Sequence, residues 1–235
     1  MPNSSAISWY GKLPGAGDFL QRNFPDSLKQ RWSQWFQLGL FYWQKEDTEG
    51  LMGHQFEKAP IWNFVIPPML GNQLIQMGCL LPAHDSVGRQ YPLCAMYIYS
   101  PAQWSGHQLS RAGNMYQQLG RTLHNAVRHS YSAPQLEQAL DELPPYSPSD
   151  DTSAGILDVL GHGNACQNTL EWPQVAESFS PQRQSSFWWT NRSDGYPLYT
   201  HIHSGNFTSQ LFTLLFSPAG GARPGRHGLY PPMFE

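Results

Sequence analysis

A chain of 235 residues is long enough for one large domain that buries its own core without disulfide or metal staples. Charged residues are scarce at 13 %, aromatic residues reach 14 %, and the net charge of −3 comes without any run of lysine or arginine. This balance excludes binding to nucleic acid or to an anionic membrane surface by charge.

Cys79, Cys94 and Cys166 show no CxxC spacing, which implies buried, reduced thiols rather than a disulfide frame. No basic-then-apolar leader opens the chain, and no stretch approaches the roughly 18 apolar residues of a membrane span. The expectation is a cytoplasmic protein with no direct membrane insertion.

In chain order, residues 7–10 predict a short strand ending at Gly11. The run Tyr10-Gly11-Lys12-Leu13-Pro14-Gly15-Ala16-Gly17-Asp18-Phe19 follows. Its spacing excludes a phosphate loop, because Lys12 precedes the second and third glycines and Leu20 stands where GxGxxG needs a glycine. Glycines that reach φ > 0, with Pro14 fixing one dihedral, predict a tight turn instead. Pro25-Asp26-Ser27 then opens the clearest helix, capped by Asp26 or Ser27. Leu28, Trp32, Trp35, Phe36, Gly39, Leu40 and Trp43 recur on one face of it, a core-making stripe.

Residues 61–66, 73–81 and 93–100 are strand-like, and Gly71-Asn72 between the first two predicts an antiparallel hairpin. Ahead of the third lies a second compact run, Asp85-Ser86-Val87-Gly88-Arg89-Gln90-Tyr91-Pro92-Leu93. One long helix is expected after Pro101, with Leu109, Ala112, Tyr116, Leu119, Leu123 and Val127 as its apolar face. Ser132 and Gln135 form a capping-box pattern for a short helix that Pro144-Pro145 must stop. Residues 144–155 are a polar loop, 185–191 and 198–204 are strand-like, and 208–216 fits helix or strand equally. These elements predict a domain over 1–216 and a poorly ordered tail over 217–235.

The chemistry-bearing residues fall into few groups. Asp18 with Arg22, and Asp85 with Arg89, stand four apart, so each is expected to form an ion pair that pins its loop; the sharper alternative is a partner-binding surface shared by both runs. A paired-carboxylate site from Asp18 and Asp85 lacks anything to split the two pKa values. His201 and His203 put both rings on one strand face, with His162 as a third candidate metal ligand; the plainer reading is two surface histidines. Cys166 near His162 has no established dyad geometry, and no Gly-x-Ser-x-Gly elbow is present. In Ser186-Phe187-Trp188-Trp189-Thr190, Phe187 and Trp189 share one strand face and Trp188 takes the other. Either both faces are covered, or one indole serves an interface.

Taken together, the first run, the second run and Ser186-Phe187-Trp188-Trp189-Thr190 resemble the TagF/ImpM family of the bacterial type VI secretion system. Ala83 replaces the family's common serine after the proline, and Tyr91 replaces a frequent phenylalanine. The resemblance implies an α/β fold, a single three-layer α/β/α sandwich around a mixed, largely antiparallel sheet. It also implies a non-enzymatic protein without cofactor or metal that represses secretion after translation by binding the forkhead-associated-domain scaffold protein. Other secretion-system components are further candidate partners. A structural subunit of the machine and a small-ligand enzyme are the alternatives. The partner surface is expected to draw on Lys12, Asp18, Arg22, Asp85, Arg89 and Trp188. Gly11, Pro14, Gly17, Phe19, Gly88, Tyr91, Pro92 and Trp189 are expected to hold the motifs in shape.

Overall fold

The structure, a computed structural model, describes residues 6–46, 56–69, 72–144, 146, 168–195 and 197–217. Its strands are β1 (Ser8–Gly11), β2 (Leu20–Arg22), β3 (Trp62–Ile66), β4 (Ile75–Leu81), β5 (Leu93–Tyr99), β6 (Ser185–Trp189) and β7 (Thr200–Ser204). The α-helices are α1 (Asp26–Glu46), α2 (Gly106–Ser110), α3 (Gly113–Arg128), α4 (Ala133–Asp141), α5 (Gln174–Ser178) and α6 (Ser209–Phe216). The seven strands form one sheet in the order β2-β1-β5-β4-β3-β6-β7. Every pairing in it is antiparallel, so the expected mixed sheet is corrected to an antiparallel one.

Each face of this sheet contributes to its own apolar cluster, which is why β3 and β4 are buried along their whole length. Alternation sends Val65, Met77, Cys79, Ala95, Tyr97, Phe187 and Trp189 to one face, where they pack with Leu119 and Leu123 of α3, Leu136 of α4 and Val175 of α5. Phe64, Ile66, Leu80, Cys94, Met96 and Trp188 take the other face, against Trp32, Trp35, Phe36 and Trp43 of α1 and Phe212 and Phe216 of α6. The stripe along α1 is therefore core, as its period predicts. Gly39 lets α6 approach closely, since a Cβ there would lie 2.2 Å from Phe212 Cγ.

Several elements differ from the sequence expectation. The long helix after Pro101 is three pieces: a 3₁₀ turn at Pro101–Gln103, then α2, then α3. The break has a tertiary cause, because the chain at 168–169 crosses the start of α3. Gly113 N donates to Asn168 O at 2.9 Å, and a Cβ at Gly113 would lie 2.2 Å from Thr169 O. Local cues were also present. Gln103 Oε1 accepts from Ser100 N at 3.1 Å and Gln108 Oε1 from Ser105 N at 2.9 Å, two reset points of the kind Ser132 and Gln135 make at α4.

The ambiguous run 208–216 is helix α6, opened by Thr208, whose Oγ1 accepts from Leu211 N at 3.1 Å. The hairpin between β3 and β4 forms, closed by mutual Met69 and Asn72 backbone bonds of 2.8 Å. Gly71, the loop over 145 and 147–155, and the tail from 218 lie outside the described residues. Strands β2 and helix α5 were not legible beforehand, being only three and five residues long.

Candidate functional site

Strand β1 pairs with β5 so that Gly11 lies opposite Leu93. The loop leaving β1 and the loop entering β5 therefore emerge at the same end of the sheet, which is how runs some 70 residues apart in sequence meet. Gly11 permits the contact: its φ is +148°, and a Cβ there would sit 2.3 Å from Pro92 O. Ser86 N then donates to Ala16 O at 2.9 Å, and Arg89 Nη2 to Gly17 O at 2.9 Å, tying the two loops by backbone as well as side chain.

Asp85 is the centre of the pair. It is fully buried, and its Oδ2 accepts from Lys12 Nζ at 2.8 Å and from Arg89 Nε at 2.6 Å. Its Oδ1 accepts from Val87 N at 3.1 Å and Arg89 N at 2.9 Å, closing the turn in which Gly88 adopts a φ of +83°. Burial alone would push this carboxyl up. The donors from Lys12, Arg89 and Val87 outweigh that and hold it well below the ordinary carboxylate range. Lys12, itself buried, lies 4.7 Å from the Phe19 ring centroid, and the Phe19 ring meets Tyr91 edge-on at 4.7 Å. Beneath them the Tyr10 and Tyr91 hydroxyls are hydrogen-bonded at 2.9 Å.

The structure divides the expected site residues. Lys12 and Asp85 are buried and internal to the loop pair, so they can shape a partner surface but not face it. Asp18, Phe19, Val87 and Arg89 form its exposed rim; Phe19 is 50 % and Val87 71 % exposed. Gly17 lies in the first loop facing Ser86, and Pro14, Tyr91 and Pro92 are buried at its base. The Asp85–Arg89 pair forms as expected, whereas Asp18 and Arg22 do not pair, because Arg22 lies on a strand rather than a helix. Arg22 instead reaches α4, meeting Asp141 at 3.2 Å and Glu137 at 3.6 Å.

Trp188 is corrected from surface to core: it is fully buried, 5.8 Å from Trp35 and 5.1 Å from Phe64. Trp189 is buried on the other face against Tyr116 and Trp172. Val87 was the residue passed over. Its signal was an aliphatic side chain inside a Ser-Val-Gly turn, a place that offers it no core.

His201 and His203 are buried, not surface residues, on the same face as Trp188 by register. Burial pushes the His203 pKa down, and its Nε2 lies 2.7 Å from Asn206 O. His162 and Cys166 lie outside the described residues. Among the described residues no cluster of His, Cys, Asp or Glu is arranged to hold a metal ion. With four donors on its two oxygens, Asp85 acts as the internal tie of the loop pair.

A sequence-family profile described as "TagF N-terminal domain, Type VI secretion system-associated" matches residues 8–143, more than half of the chain and both loops. No curated protein sequence matches the chain. Among solved structures, the crystal structure of PA0076 from Pseudomonas aeruginosa PAO1 superposes with a TM-score of 0.68 at 21 % identity, over 94 % of this chain and 98 % of that one. That likeness is one of fold.

Proposed function

Because the chain belongs to the TagF family of type VI secretion system-associated proteins, we propose that it restrains that machine by binding a partner, without catalysis, through the rim of the paired loops. Membership of the family is the observation that carries the reading. The proposed partner is the forkhead-associated-domain scaffold protein, and the proposed place of encounter is the cytoplasm. Among the described residues no helix is long and apolar enough to cross a membrane.

Two features of the site support a binding role. Its buried charges are consumed in holding the loops together, and its exposed rim sets Phe19 and Val87 beside Asp18 and Arg89. Two exposed apolar side chains, each next to a charge, the two of opposite sign, suit recognition, where a few anchors carry most of the energy and charges select the partner. The proposal takes the two apolar clusters as the helical layers of a three-layer sandwich, with the loop pair at one end of its sheet.

The test is capture of the scaffold by the tagged full chain, compared with a Phe19→Asp, Val87→Asp variant whose fold is verified by circular dichroism. The expected result is at least about a tenfold loss of capture, the scale of a hot-spot pair. Equal capture by the variant overturns the loop assignment, and no capture by either overturns the partner. Deletion of the gene should raise secretion; a fall would instead favour a structural subunit.

A further inference from the structure

Helix α1 presents a second surface that the paired loops do not use. Along its outer side Arg31, Gln34, Leu38, Phe41 and Lys45 follow at spacings of three or four, with Tyr42 beside Phe41, so they form one stripe. Leu38, Phe41 and Tyr42 are exposed by 47, 60 and 44 %, and the Phe41 and Tyr42 rings meet edge-on at 5.6 Å. Three large apolar side chains side by side on water mark a contact surface rather than scattered exposure.

Beside the first half of the stripe runs a groove of about 490 Å³. Its lining includes Arg31, Trp35, Leu38 and Phe207, and the Trp35 and Phe207 rings lie 4.5 Å apart. Arg31 is partly buried there, and its Nη1 donates to a neutral partner, Asn206 Oδ1, at 3.3 Å. Among the described residues no carboxylate pairs with Arg31, whereas Lys45 is followed in sequence by Glu46, Asp47 and Glu49, so Arg31 is the cation this face offers to a partner. A partly desolvated guanidinium gains most from a carboxylate that arrives with a partner.

The span from Arg31 to Lys45 is about 21 Å at 1.5 Å per residue, longer than a small ligand and matched to roughly four turns of a second helix. From the partly desolvated guanidinium at the head of an apolar ridge we infer that this face of α1 docks an amphipathic helix of a partner protein that carries a carboxylate at its Arg31 end. Its apolar side covers Leu38, Phe41 and Tyr42 and reaches into the groove, and its carboxylate meets Arg31. This surface is additional to the loop rim and does not depend on the identity of the loop partner.

Photocrosslinking tests it. p-Benzoylphenylalanine is placed at Phe41 in one full-length protein and at Val87 in another, each expressed in a host carrying a type VI gene cluster, and crosslinked peptides are sequenced by mass spectrometry. The expected product from position 41 is a segment of another protein with apolar residues at helical spacing and an acid at one end. Its yield should fall at least about tenfold when Arg31→Glu is added, with far-ultraviolet circular dichroism unchanged. Absence of a product, a product within the chain or with a second copy, a segment lacking acids, or a yield indifferent to charge reversal each overturns the proposal. A product at Val87 with none at Phe41 overturns it while leaving the loop reading intact.

Discussion

Asp85 shows how one buried residue can organise two distant loops. Its pKa is depressed in the fold, so its contribution to stability is complete above the unfolded value of about 3.9, starts to decline there, and is lost only as pH falls to the depressed folded value. Asp85→Asn should lower the melting temperature at neutral pH and flatten the decline of melting temperature between about pH 5 and pH 3. Thermal melts of both proteins across that range check this; parallel curves would show that Asp85 is not the coupling group. Trp188 works by volume rather than charge. Fully buried against Trp35 and Phe64, with its indole N–H on Ser186 Oγ at 2.9 Å, it should cost about 3–5 kcal/mol as Trp188→Ala in urea unfolding. A cost under about 1 kcal/mol, the range of an exposed site, would contradict its burial.

At the scale of elements, the seam between α1 and α6 sets two effects against each other. Gly39→Ala improves the intrinsic propensity of the helix by about 1 kcal/mol, yet the new Cβ would press on the Phe212 ring at 2.2 Å. Overpacking of this kind costs about 1–3 kcal/mol, and rigid ring atoms on a second helix cannot swing aside. A net destabilisation of about 1 kcal/mol or more is expected, read as a lower urea midpoint with unchanged slope. The bridge from β2 to α4 is a contrasting case. Arg22 and Asp141 are 35 and 68 % exposed, so solvent screens them, and Arg22→Ala should change stability by no more than about 1 kcal/mol. Pairing of Trp9 with Arg22 through Gly11 with Leu20, rather than the ion pair, holds β2 on the sheet.

For the whole molecule, one sheet separates two apolar clusters, and neither can unfold without exposing strand residues that the other helices do not cover. Unfolding should therefore be a single transition. Tryptophan fluorescence, which reports both clusters through Trp32, Trp35, Trp43, Trp62 and Trp188 on one side and Trp9, Trp172 and Trp189 on the other, should coincide with far-ultraviolet dichroism. Separated midpoints would show that the two clusters melt independently.

Much of this architecture is legible in the residues themselves. The period of α1, the strands around 61–66, 73–81 and 93–100, the hairpin at Asn72 and the cap at Ser132 all express local physics that needs no distant partner. The two motif loops could be read as turns, and Asp85 with Arg89 as a pair, for the same reason.

What lay beyond the sequence was every relation set by sheet register or crossing. Lys12 reaches Asp85 across 73 positions because Gly11 faces Leu93. Arg22 leaves Asp18 for α4, the helix after Pro101 breaks where the chain at 168–169 crosses it, and Trp188 and Trp189 are both buried because each face carries its own apolar cluster. Local spacing determined which side chains could share a face; only the packing of one element against another decided which faces met water.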